Sequence, residues 1–599
     1  MLGQKTLFLT GTDEHGDKIV QAAEKKGLSP AEFVDQISAN FRTLWPGLAV
    51  ENDHFVRTTD PAHAKNVQKF LQILYDSGDI YFGEFGGHYC YGCERFYTEK
   101  ELVNGLCPQH LTEPKYISEK NYFFRMSKYL PWLKQYITEH PDLIRPERYR
   151  TEALAMLEEG VLEDLCISRP KSRLTWGIEL PFDPQYVCYV WFDALLCYID
   201  GIGWPDGEQY RTFWPGEHLI AKDILKPHAI FWPCMLKAAG IPIYRHLNVH
   251  GYWLSREAKM SKSLGNIVDP LDALKKYGLD AFRYFLLRDM RFGYDASFSE
   301  EAIVTRINSD LANDLGNLFS RSLSMNAKYF AGHVPDKAIP SADDESIIEL
   351  ASTSIEAYLH YFNEMKISRG LASLWELVTA LNKYIDSQAP WTLHKEGKHD
   401  RLATVINVIL ACLRKTALCL WPIMPDASKT MLRQLGQRVD DAPPCKDLAK
   451  EARTFTYLKP GTPISSASNI FPRIVADADK DQAQIPDPKG VEKITFNQFK
   501  AVDMRIGTIL EVSRHPNADK LLCLNIDFGE GEPRQIVSGI AERYSEKELI
   551  GKQVCAVLNL PPRKIRGLES QGMVLTAGEG GNLALLTCMS NVDEGSPIS

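Results

Sequence analysis

The order of hydrophobic patterns along the 599 residues constrains the fold more than any other feature of the sequence. Strand-like and helix-like stretches alternate from the N-terminus, and a Tyr-, Gly- and Cys-rich stretch interrupts them before the alternation returns. A long region with 3.6-residue periodicity follows, and short strand-like runs separated by turn signals come last. Alternating strands and helices predict an α/β fold, and the evenly spaced short strands predict a small barrel.

The same patterns divide the chain into six regions. At about 150 residues per domain, a chain of this length should contain about four domains, joined by linkers or interrupted by insertions. The regions are the first half of an α/β domain (1–80), an insertion (81–150), the second half of the α/β domain (151–300), a helical domain (301–455), a linker rich in Pro, Ser and Asp (456–492) and a β-barrel (493–599).

Composition limits where such a chain works. The net charge is −9, which argues against general coating of nucleic acid but allows a specific RNA partner. The apolar stretch 405–424 contains Arg414 and Lys415, so it predicts a buried helix rather than a membrane span. The thirteen cysteines stand mostly singly among apolar residues, which favours core thiols in a reducing compartment. We therefore expect a cytoplasmic protein that does not associate with membranes.

The N-terminal segment predicts a ligand site close to the start of the chain. Residues 6–9, TLFL, have the pattern of a buried strand, and Gly11 and Asp13 follow where the strand gives way to a loop and a helix. Nucleotide-binding α/β domains present ligand groups at this end of their strands. Asp13 is therefore a candidate binding residue.

A loop of lysines and serines predicts a second site. Lys259 and Lys262 are three residues apart, so both side chains can converge on a polyphosphate and offset the charge of a departing pyrophosphate. Asp269 and Pro270 then begin a helix, as N-cap and first helical residue. Taken alone, the lysines could equally belong to a solvated loop before that helix.

The insertion contains a possible metal site. Two closely spaced ligand pairs, Cys90/Cys93 and Cys107/His110, are separated by 13 residues. Three thiolates and one imidazole suit a tetrahedral, structural Zn²⁺ without an open coordination position. The alternative is four unrelated core or surface residues.

Two aromatic segments could line a pocket. The first is the stretch 190–198, and the second runs from Lys222 to Trp232. Ile224, His228 and Trp232 would share one helical face if the second segment is a regular helix. A thioether packs well against such rings, but the pattern alone favours a core over a pocket.

In combination these motifs resemble the methionyl-tRNA synthetases, a family of class I aminoacyl-tRNA synthetases. The resemblance covers nearly the whole chain and is closest to bacterial members with one zinc site. It implies a Rossmann-like catalytic domain with a zinc-binding insertion, an α-helical anticodon-binding domain and a C-terminal OB-fold that binds tRNA. The motifs in order are TGTDEHG (10–16), the zinc knuckle, ISRPKSR (167–173), YVWFDA (189–194), AKDI (221–224), the KMSKS-type loop with LGN (259–266) and QAPW (388–391).

The resemblance implies that methionine and ATP form methionyl-adenylate and pyrophosphate, and that the methionyl group then passes to the 3′ end of tRNA(Met). Mg²⁺ would accompany ATP. The implied methionine-binding residues are Asp13 for the amino group and Trp191, Ala194, Tyr198, Ile224, His228 and Trp232 for the side chain. The implied ATP-binding residues are Asp223, His250, Gly251, Lys259 and Lys262, of which Lys262 is the favoured transition-state residue.

The tRNA contacts implied by the family lie in two further regions. Asn317 and Arg321 share a helix face, and Trp391 offers a stacking platform, so together they would read the CAU anticodon. The barrel resembles appended tRNA-binding domains that also form homodimers. Its basic residues Arg563, Lys564 and Arg566 would contact the tRNA backbone, or they could be a solvated loop.

Two departures from the family leave alternatives open. Ala221 stands where members usually have Gly, so a methyl group lies beside the expected nucleotide. No His-Ile-Gly-His signature is present, and about 40 residues that precede TLFLTG in the family layout are absent. A late start codon predicts an in-frame upstream strand with that signature. The alternatives are a shortened, catalytically impaired tRNA-binding relative and, less favoured, a class I synthetase for another amino acid.

Overall fold

The computed structural model divides into two compact units, Met1–Ala476 and Asp477–Ser599. The first unit contains the α/β part, its insertion and the helical part, and the second contains the C-terminal sheet. The structure describes residues 3–90, 95–97, 102–108, 112–158, 162–255, 258–259, 268–337, 339–439, 447–466, 469–474, 501–577, 583–588 and 592–598.

The strands of the first unit are short, except for a long hairpin in the insertion. In chain order they are β1 (Leu9–Thr12), β2 (His54–Arg57), β3 (Ile80–Cys90), β4 (Arg95–Tyr97), β5 (Lys115–Phe124), β6 (Ile144–Arg145), β7 (Leu165–Cys166), β8 (Ser168–Pro170), β9 (Glu179–Leu180), β10 (Asp183–Cys188), β11 (Glu217–Ala221), β12 (His246–His250), β13 (Trp253–Ser255), β14 (Ala258–Lys259) and β15 (Ala296–Ser297).

Helices connect these strands and predominate after residue 300 in the described part of the first unit, where a π-helical segment runs from Ile307 to Gly316. They are α1 (Asp17–Lys26), α2 (Pro30–Gly47), α3 (Pro61–Asp76), α4 (Leu130–Glu139), α5 (Glu147–Glu158), α6 (Val190–Ala194), α7 (Cys197–Asp200), α8 (Glu208–Phe213), α9 (Trp232–Ala238), α10 (Pro270–Tyr277), α11 (Leu279–Asp289), α12 (Glu300–Arg306), α13 (Asn317–Phe330), α14 (Ala342–Asn363), α15 (Ile367–Gln388), α16 (Pro390–Lys395), α17 (His399–Leu420), α18 (Pro425–Gln434) and α19 (Leu448–Arg453).

The parallel strands of the α/β part form two separate groups. β1 pairs with β2, and β12 pairs with both β11 and β6. Among the described residues β1 and β11 each have a strand neighbour on one side only. Leu219 in the middle of β11 is 60% exposed, and Phe8 just before β1 is 47% exposed. The faces of a parallel sheet are normally covered, so exposed apolar side chains such as these two are unusual for this fold class.

The predicted buried strand at residues 6–9 is wrong in position and in burial. β1 begins at Leu9, and none of its four residues is buried. The sequence pattern assumes a neighbour on each side of the strand. Among the described residues β1 pairs with β2 alone, and none of its side chains is buried.

The insertion is an antiparallel sheet built on the hairpin of β3 and β5. The register runs from Ile80 opposite Phe124 to Tyr89 opposite Lys115, and the strand order is β4, β3, β5, β7. Cys90 ends β3 and Cys107 lies in the following loop, so the hairpin brings two of the predicted zinc ligands to one end of the sheet.

The helical part is organised around α17. This helix is the only one in the described residues that is long and apolar enough to cross a membrane, and 94% of its most apolar window is buried inside the protein. The prediction of a buried helix is thus confirmed. Lys415 is accommodated in the core because its Nζ donates to the carbonyl oxygens of Glu451 and Thr454.

The sequence pattern assigns residues 456–492 to a linker, and the part that the structure describes, 456–466 and 469–474, packs against the helical core. Leu458, Ile464 and Phe471 are buried there. The Ile474 amide donates to Asn308 Oδ1 over 2.9 Å, and Val334 pairs with Thr462. The segment is poor in apolar residues overall, but Tyr457, Ile470 and Ile474 also pack against the helical core.

The second unit is an antiparallel sheet with strand order β18, β17, β16, β19, β22. Its core contains Ile509, Leu524, Ile526, Ile536 and Ala556, as the alternating pattern of the strands predicts. The elements are β16 (Met504–Arg514), β17 (Leu522–Asp527), β18 (Arg534–Ser538), α20 (Glu546–Leu549), β19 (Gln553–Val557), β20 (Arg563–Ile565), β21 (Leu568–Ser570), β22 (Met573–Val574), β23 (Thr576–Ala577) and β24 (Ala584–Leu585).

Candidate active site and RNA-binding residues

The loop after β1 is held rigidly around Asp13. Asp13 is exposed at the carboxyl end of the strand, whereas the next two residues, Glu14 and His15, are buried. Glu14 Oε1 accepts hydrogen bonds from Arg57 Nε (2.8 Å) and from the Thr12 hydroxyl (2.6 Å). Burial of a carboxylate is tolerated only when it is paired in this way. The exposed carboxylate of Asp13 therefore projects from a fixed backbone.

A buried cluster of two histidines and two aspartates joins this loop to the helices after β10. Asp193 lies 2.7 Å from His15 Nδ1 through Oδ2 and 3.3 Å from His63 Nε2 through Oδ1. The other ring nitrogen of His63 lies 3.2 Å from Asp200 Oδ2. Asp193 and His63 have no exposed side-chain surface. The four residues, which we call the His–Asp cluster, link the Asp13 loop, α3, α6 and α7.

The cluster is electrostatically self-consistent. Burial alone would lower the pKa of His63, but hydrogen bonds to Asp193 and Asp200 outweigh it and raise the pKa to about 12. Burial likewise opposes ionisation of Asp193, yet hydrogen bonds from His15 and His63 lower its pKa. His63 is therefore an imidazolium held between two carboxylates at neutral pH. The sequence motifs include His15 and Asp193, but only the fold shows that His63 joins them.

The predicted pocket residues of α6, α7 and the segment after β11 come together. The Tyr198 hydroxyl donates to His228 Nε2 over 2.7 Å, and His228 Nδ1 donates to the Ile224 carbonyl oxygen over 2.8 Å. The Trp191 ring meets the His228 ring edge-on at 6.0 Å between centroids. Trp191, Ala194 and Tyr198 are partly exposed and His228 is buried, so the group can line a pocket wall.

The His228 side chain is neutral. Burial lowers its pKa to about 4, against the smaller opposing effect of the hydrogen bond to Ile224. Burial also raises the pKa of Tyr198, so its hydroxyl stays protonated and donates. The wall is therefore polar but uncharged, which suits an uncharged side chain such as a thioether.

Trp232 differs from the other predicted pocket residues. Its side chain is fully buried, and its indole Nε1 donates to His218 Nε2 over 3.1 Å. The regular helix predicted from Ile224 to Trp232 is replaced by a 3₁₀ turn at Lys222–Ile224 and a π-helical turn at Pro227–Phe231. A π-turn changes the side-chain period, so Trp232 supports the wall from the core.

The predicted nucleotide-binding residues lie at the carboxyl ends of β11 and β12. Asp223 is exposed after β11, and His250 ends β12 with its Nδ1 2.7 Å from the Gly251 carbonyl oxygen. A Cβ atom at Gly251 would come within 2.3 Å of the Tyr294 backbone, so a glycine is required for these two backbone segments to approach so closely. Ala221 has φ −82° and ψ 154°, an ordinary extended conformation that accommodates its methyl group.

Asp295 fixes this end of the sheet. Its Oδ2 lies 2.6 Å from Lys222 Nζ, and its Oδ1 accepts the Tyr252 amide over 2.8 Å. The sequence analysis did not identify Asp295, because it lies 72 residues beyond Asp223 and belongs to no recognisable motif.

The lysine loop is described only in part. β14 ends at the backbone of Lys259, and Lys262 lies outside the described residues. The helix predicted to follow is confirmed: α10 begins at Pro270, and the side chain of its N-cap Asp269 accepts the Leu271 amide over 2.8 Å.

Two of the four predicted zinc ligands are described. Cys90 and Cys107 are both buried in one small cluster with Tyr97. Cys93 and His110 lie outside the described residues, and within the described part no group of three or more potential ligands could hold a metal ion. Two buried thiols at the end of one hairpin are a suitable half of a thiolate-rich donor set.

The predicted anticodon residues are brought to one end of the helical part. Arg321 on α13 donates to Asp386 Oδ1 over 2.9 Å, near the C-terminal end of α15. Trp391 lies at the start of the next helix and is 47% exposed. Asn317 is exposed one turn before Arg321. The surface thus combines an amide, a guanidinium and an exposed indole.

In the C-terminal unit the predicted basic residues lie on the hairpin of β20 and β21. Arg563, Lys564 and Arg566 are all exposed. His515 is buried beneath the hairpin: its Nδ1 accepts the Asn517 amide, and its Nε2 donates to the Ile565 carbonyl oxygen over 3.1 Å. The HPNADKL stretch contains this histidine, but its structural role could not be inferred from the motif alone.

Comparisons with known proteins identify the class. Residues 1–116 and 110–323 match the model described as tRNA synthetases class I (M). Residues 334–485 match the anticodon binding domain of methionyl tRNA ligase, and residues 504–597 match a putative tRNA binding domain. Together these three matches identify the chain as a class I aminoacyl-tRNA synthetase.

Individual relatives narrow the assignment. The chain is 43% identical to the methionine–tRNA ligase of Caldanaerobacter subterraneus and 41% identical to that of Thermotoga maritima, and each comparison covers 100% of this chain and 94% of the relative. Methionyl-tRNA synthetase of Mycobacterium tuberculosis, solved with methionyl-adenylate, is 38% identical with a TM-score of 0.73 over 78% of this chain and 92% of that chain. The chain belongs to the methionyl-tRNA synthetase family, as the sequence motifs predicted.

Proposed function

We propose that the protein activates methionine with ATP and transfers it to tRNA(Met) for translation and its initiation. The His–Asp cluster is the observation that carries the proposal. It fixes the loop bearing Asp13 to the helices bearing Trp191 and Tyr198, so the amino group and the side chain of one methionine can be held at once. Positioning of this kind supplies much of the acceleration when ATP already provides the activated group.

In the proposed reaction, a carboxylate oxygen of methionine attacks the α-phosphorus of ATP, and pyrophosphate leaves. Asp13 holds the ammonium group, and Trp191, Ala194, Tyr198, Ile224 and His228 surround the thioether, with Trp232 behind them. Asp223, His250 and Gly251 hold the nucleotide, and Lys259 and Lys262 offset the charge of the leaving pyrophosphate. Mg²⁺ bound to ATP would neutralise phosphate charge.

The remaining assignments are part of the same proposal. Asn317, Arg321 and Trp391 read the anticodon, and Arg563, Lys564 and Arg566 contact the tRNA backbone. The C-terminal unit also forms a homodimer, and the enzyme works in the cytoplasm.

A structural Zn²⁺ is proposed for the insertion, held by Cys90, Cys93, Cys107 and His110. The burial of Cys90 and Cys107 in one cluster supports it. Elemental analysis should find one zinc per chain and a clear loss in a Cys107→Ser variant. An unchanged zinc content in that variant would refute this ligand set.

Methionine-dependent exchange between ATP and pyrophosphate tests the central proposal. The full chain should catalyse exchange, and Asp13→Asn should reduce kcat/KM for methionine by about 100-fold, because the ammonium group loses its charged partner. Asp76→Asn, at an exposed carboxylate that accepts a hydrogen bond from Gln72 on the same helix and lies outside the site, is the matched control.

A second candidate is a catalytically impaired relative that still binds tRNA. Two observations favour this candidate. Among the described residues β1 and β11 each pair with a strand on one side only, and Leu219 in β11 is exposed, so the strands that carry the site are incompletely covered. A chain that binds tRNA(Met) but shows no exchange would establish this alternative.

The Tyr198–His228 hydrogen bond gives a prediction for the methionine pocket. Tyr198→Phe should raise the methionine KM about tenfold, because a buried ring nitrogen loses its donor, and it should leave the ATP KM unchanged. Tyr210→Phe, at a partly buried tyrosine of the same core, is the control. Equal methionine KM values in the two variants would remove this hydrogen bond from the account of specificity.

A further inference from the structure

A groove of about 1000 Å³ separates the α/β part from the helical part within the first unit. The start of α5 and the segment after α11 form one wall, and the turn between α14 and α15 forms the other. Its cationic lining residues are Arg145, Arg148, Arg150, Arg291, Lys366 and Arg369.

The groove has a surplus of positive charge. Its six cations face three acidic residues, Asp142, Glu147 and Glu364, which leaves three positive charges uncompensated. The chain as a whole has a net charge of −9, so the groove contrasts with the rest of the molecule. A local patch of this kind attracts an anionic partner even when the overall charge repels it.

Pairing within the groove leaves four arginines available. Arg145 pairs with Asp142, and Lys366 pairs with Glu364 over 2.5 Å. Within the part of the chain that the structure describes, no carboxylate pairs with the other four, which are Arg148, Arg150, Arg291 and Arg369.

Neutral groups hold three of these guanidinium groups in place. Those of Arg148 and Arg291 lie 4.7 and 4.4 Å from the centroid of the Tyr294 ring. Arg150 donates to the carbonyl oxygens of Ile137 and Thr138, each over 3.2 Å. Because aromatic rings and carbonyl groups orient a guanidinium without neutralising it, the charges remain available to a ligand.

The groove is connected through Tyr294 and Asp295 to the proposed ATP-binding residues. Tyr294 forms part of the groove, and its backbone abuts Gly251. The next residue, Asp295, pairs with Lys222 beside Asp223. A ligand in the groove would therefore contact the same short segment that supports the ATP-binding residues.

We propose that this groove binds the sugar-phosphate backbone of tRNA between the two ends that the synthetase reads. The inference rests on the proposed function. The cations lie on three separate segments of the chain, which suits a row of phosphates better than one phosphate group. A ligand spanning from the α/β part to the helical part must also cross this boundary.

A double variant of the full chain, Arg291→Gln with Arg369→Gln, tests the proposal. Both residues are exposed and outside the proposed catalytic machinery. Loss of two phosphate contacts should weaken tRNA(Met) binding and reduce the slope of log K against log salt by about 2. The matched control, Arg42→Gln with Arg438→Gln, removes the same charge from exposed sites outside the groove and should leave the slope unchanged.

Three measurements distinguish the outcomes. We expect weaker tRNA binding, the reduced salt slope and unchanged ATP–pyrophosphate exchange in the groove variant. An unchanged slope, or an equal effect of the control, would overturn the proposal. A raised ATP KM with unchanged tRNA binding would overturn it in favour of a free nucleotide. Because tRNA binding is measured directly, absence of exchange in the wild type would count against the proposed function and not against the groove.

Discussion

Asp193→Asn should reduce kcat/KM for methionine activation by about 100-fold and lower the free energy of unfolding of the catalytic part by about 3–5 kcal/mol. The first effect follows because the Asp13 loop loses its link to the pocket helices, and small displacements of reacting groups cost this much. The second follows because His63 would remain buried beside an uncharged partner. Exchange kinetics and urea unfolding measure the two effects.

The pH dependence of stability identifies the same cluster independently. The pKa of His63 is raised in the folded state, so its stabilisation is complete below about pH 6.5 and is lost as pH rises toward about 12. Asp193, whose pKa is lowered, contributes above about pH 4 and loses its contribution as pH falls further. The cluster therefore stabilises the fold most between about pH 4 and about pH 6.5.

A His63→Gln variant should remove the alkaline part of this dependence. Between pH 7 and 9 the stability advantage of the wild type over the variant should fall by up to about 1.4 kcal/mol per pH unit. Asp35→Asn breaks an exposed ion pair and should change stability by at most about 1 kcal/mol at any of these pH values. Parallel profiles for wild type and His63→Gln would show that His63 is not charged in the folded protein.

Trp391→Ala should reduce kcat/KM for aminoacylation of tRNA(Met) by about 5- to 150-fold, because stacking of one base on an aromatic ring contributes about 1–3 kcal/mol. ATP–pyrophosphate exchange should be unchanged, because that step does not require the anticodon. The loss should disappear with a minimal RNA that lacks an anticodon.

The control for this variant is Ile339→Ala, which removes an apolar side chain that is 92% exposed in the same helical part. It should leave both reactions unchanged. A loss of exchange in Trp391→Ala would indicate damage to the fold, and full aminoacylation activity would exclude Trp391 from anticodon recognition.

Local patterns in the sequence predicted the fold class, the helix at 270 and the buried helix α17, because each depends on residues close together in the chain. The pocket residues Trp191, Tyr198 and His228 could be named from motifs, but their hydrogen bonds could not. The full burial of Trp232 was not predicted, because the π-turn at Pro227–Phe231 interrupts the regular helical period.

Contacts between distant segments were not predictable from one sequence. His63 and Asp295 carry no motif, and they gain their roles only when α3 and the segment after α11 approach the site. The burial of residues 456–466 and 469–474 was missed for a related reason: their polar composition is typical of a linker, and the six apolar side chains that pack against the helical core are widely spaced. The exposure of Phe8 depends on the elements that neighbour it in the folded protein, and the residue pattern of one strand does not show these neighbours.

Helix α15 has 22 residues and carries Arg369 in its first turn, and it ends three residues before Trp391. At 1.5 Å per residue its length is about 33 Å. Because one proposed RNA contact lies at the start of this helix and the other directly follows its end, the length of the helix determines the distance between them. Point substitutions on the solvent-facing side of the helix leave that distance unchanged, whereas inserting or deleting one turn would shift one contact by about 5.4 Å. The length of this helix, more than the identity of its residues, therefore sets the spacing of the two proposed contacts.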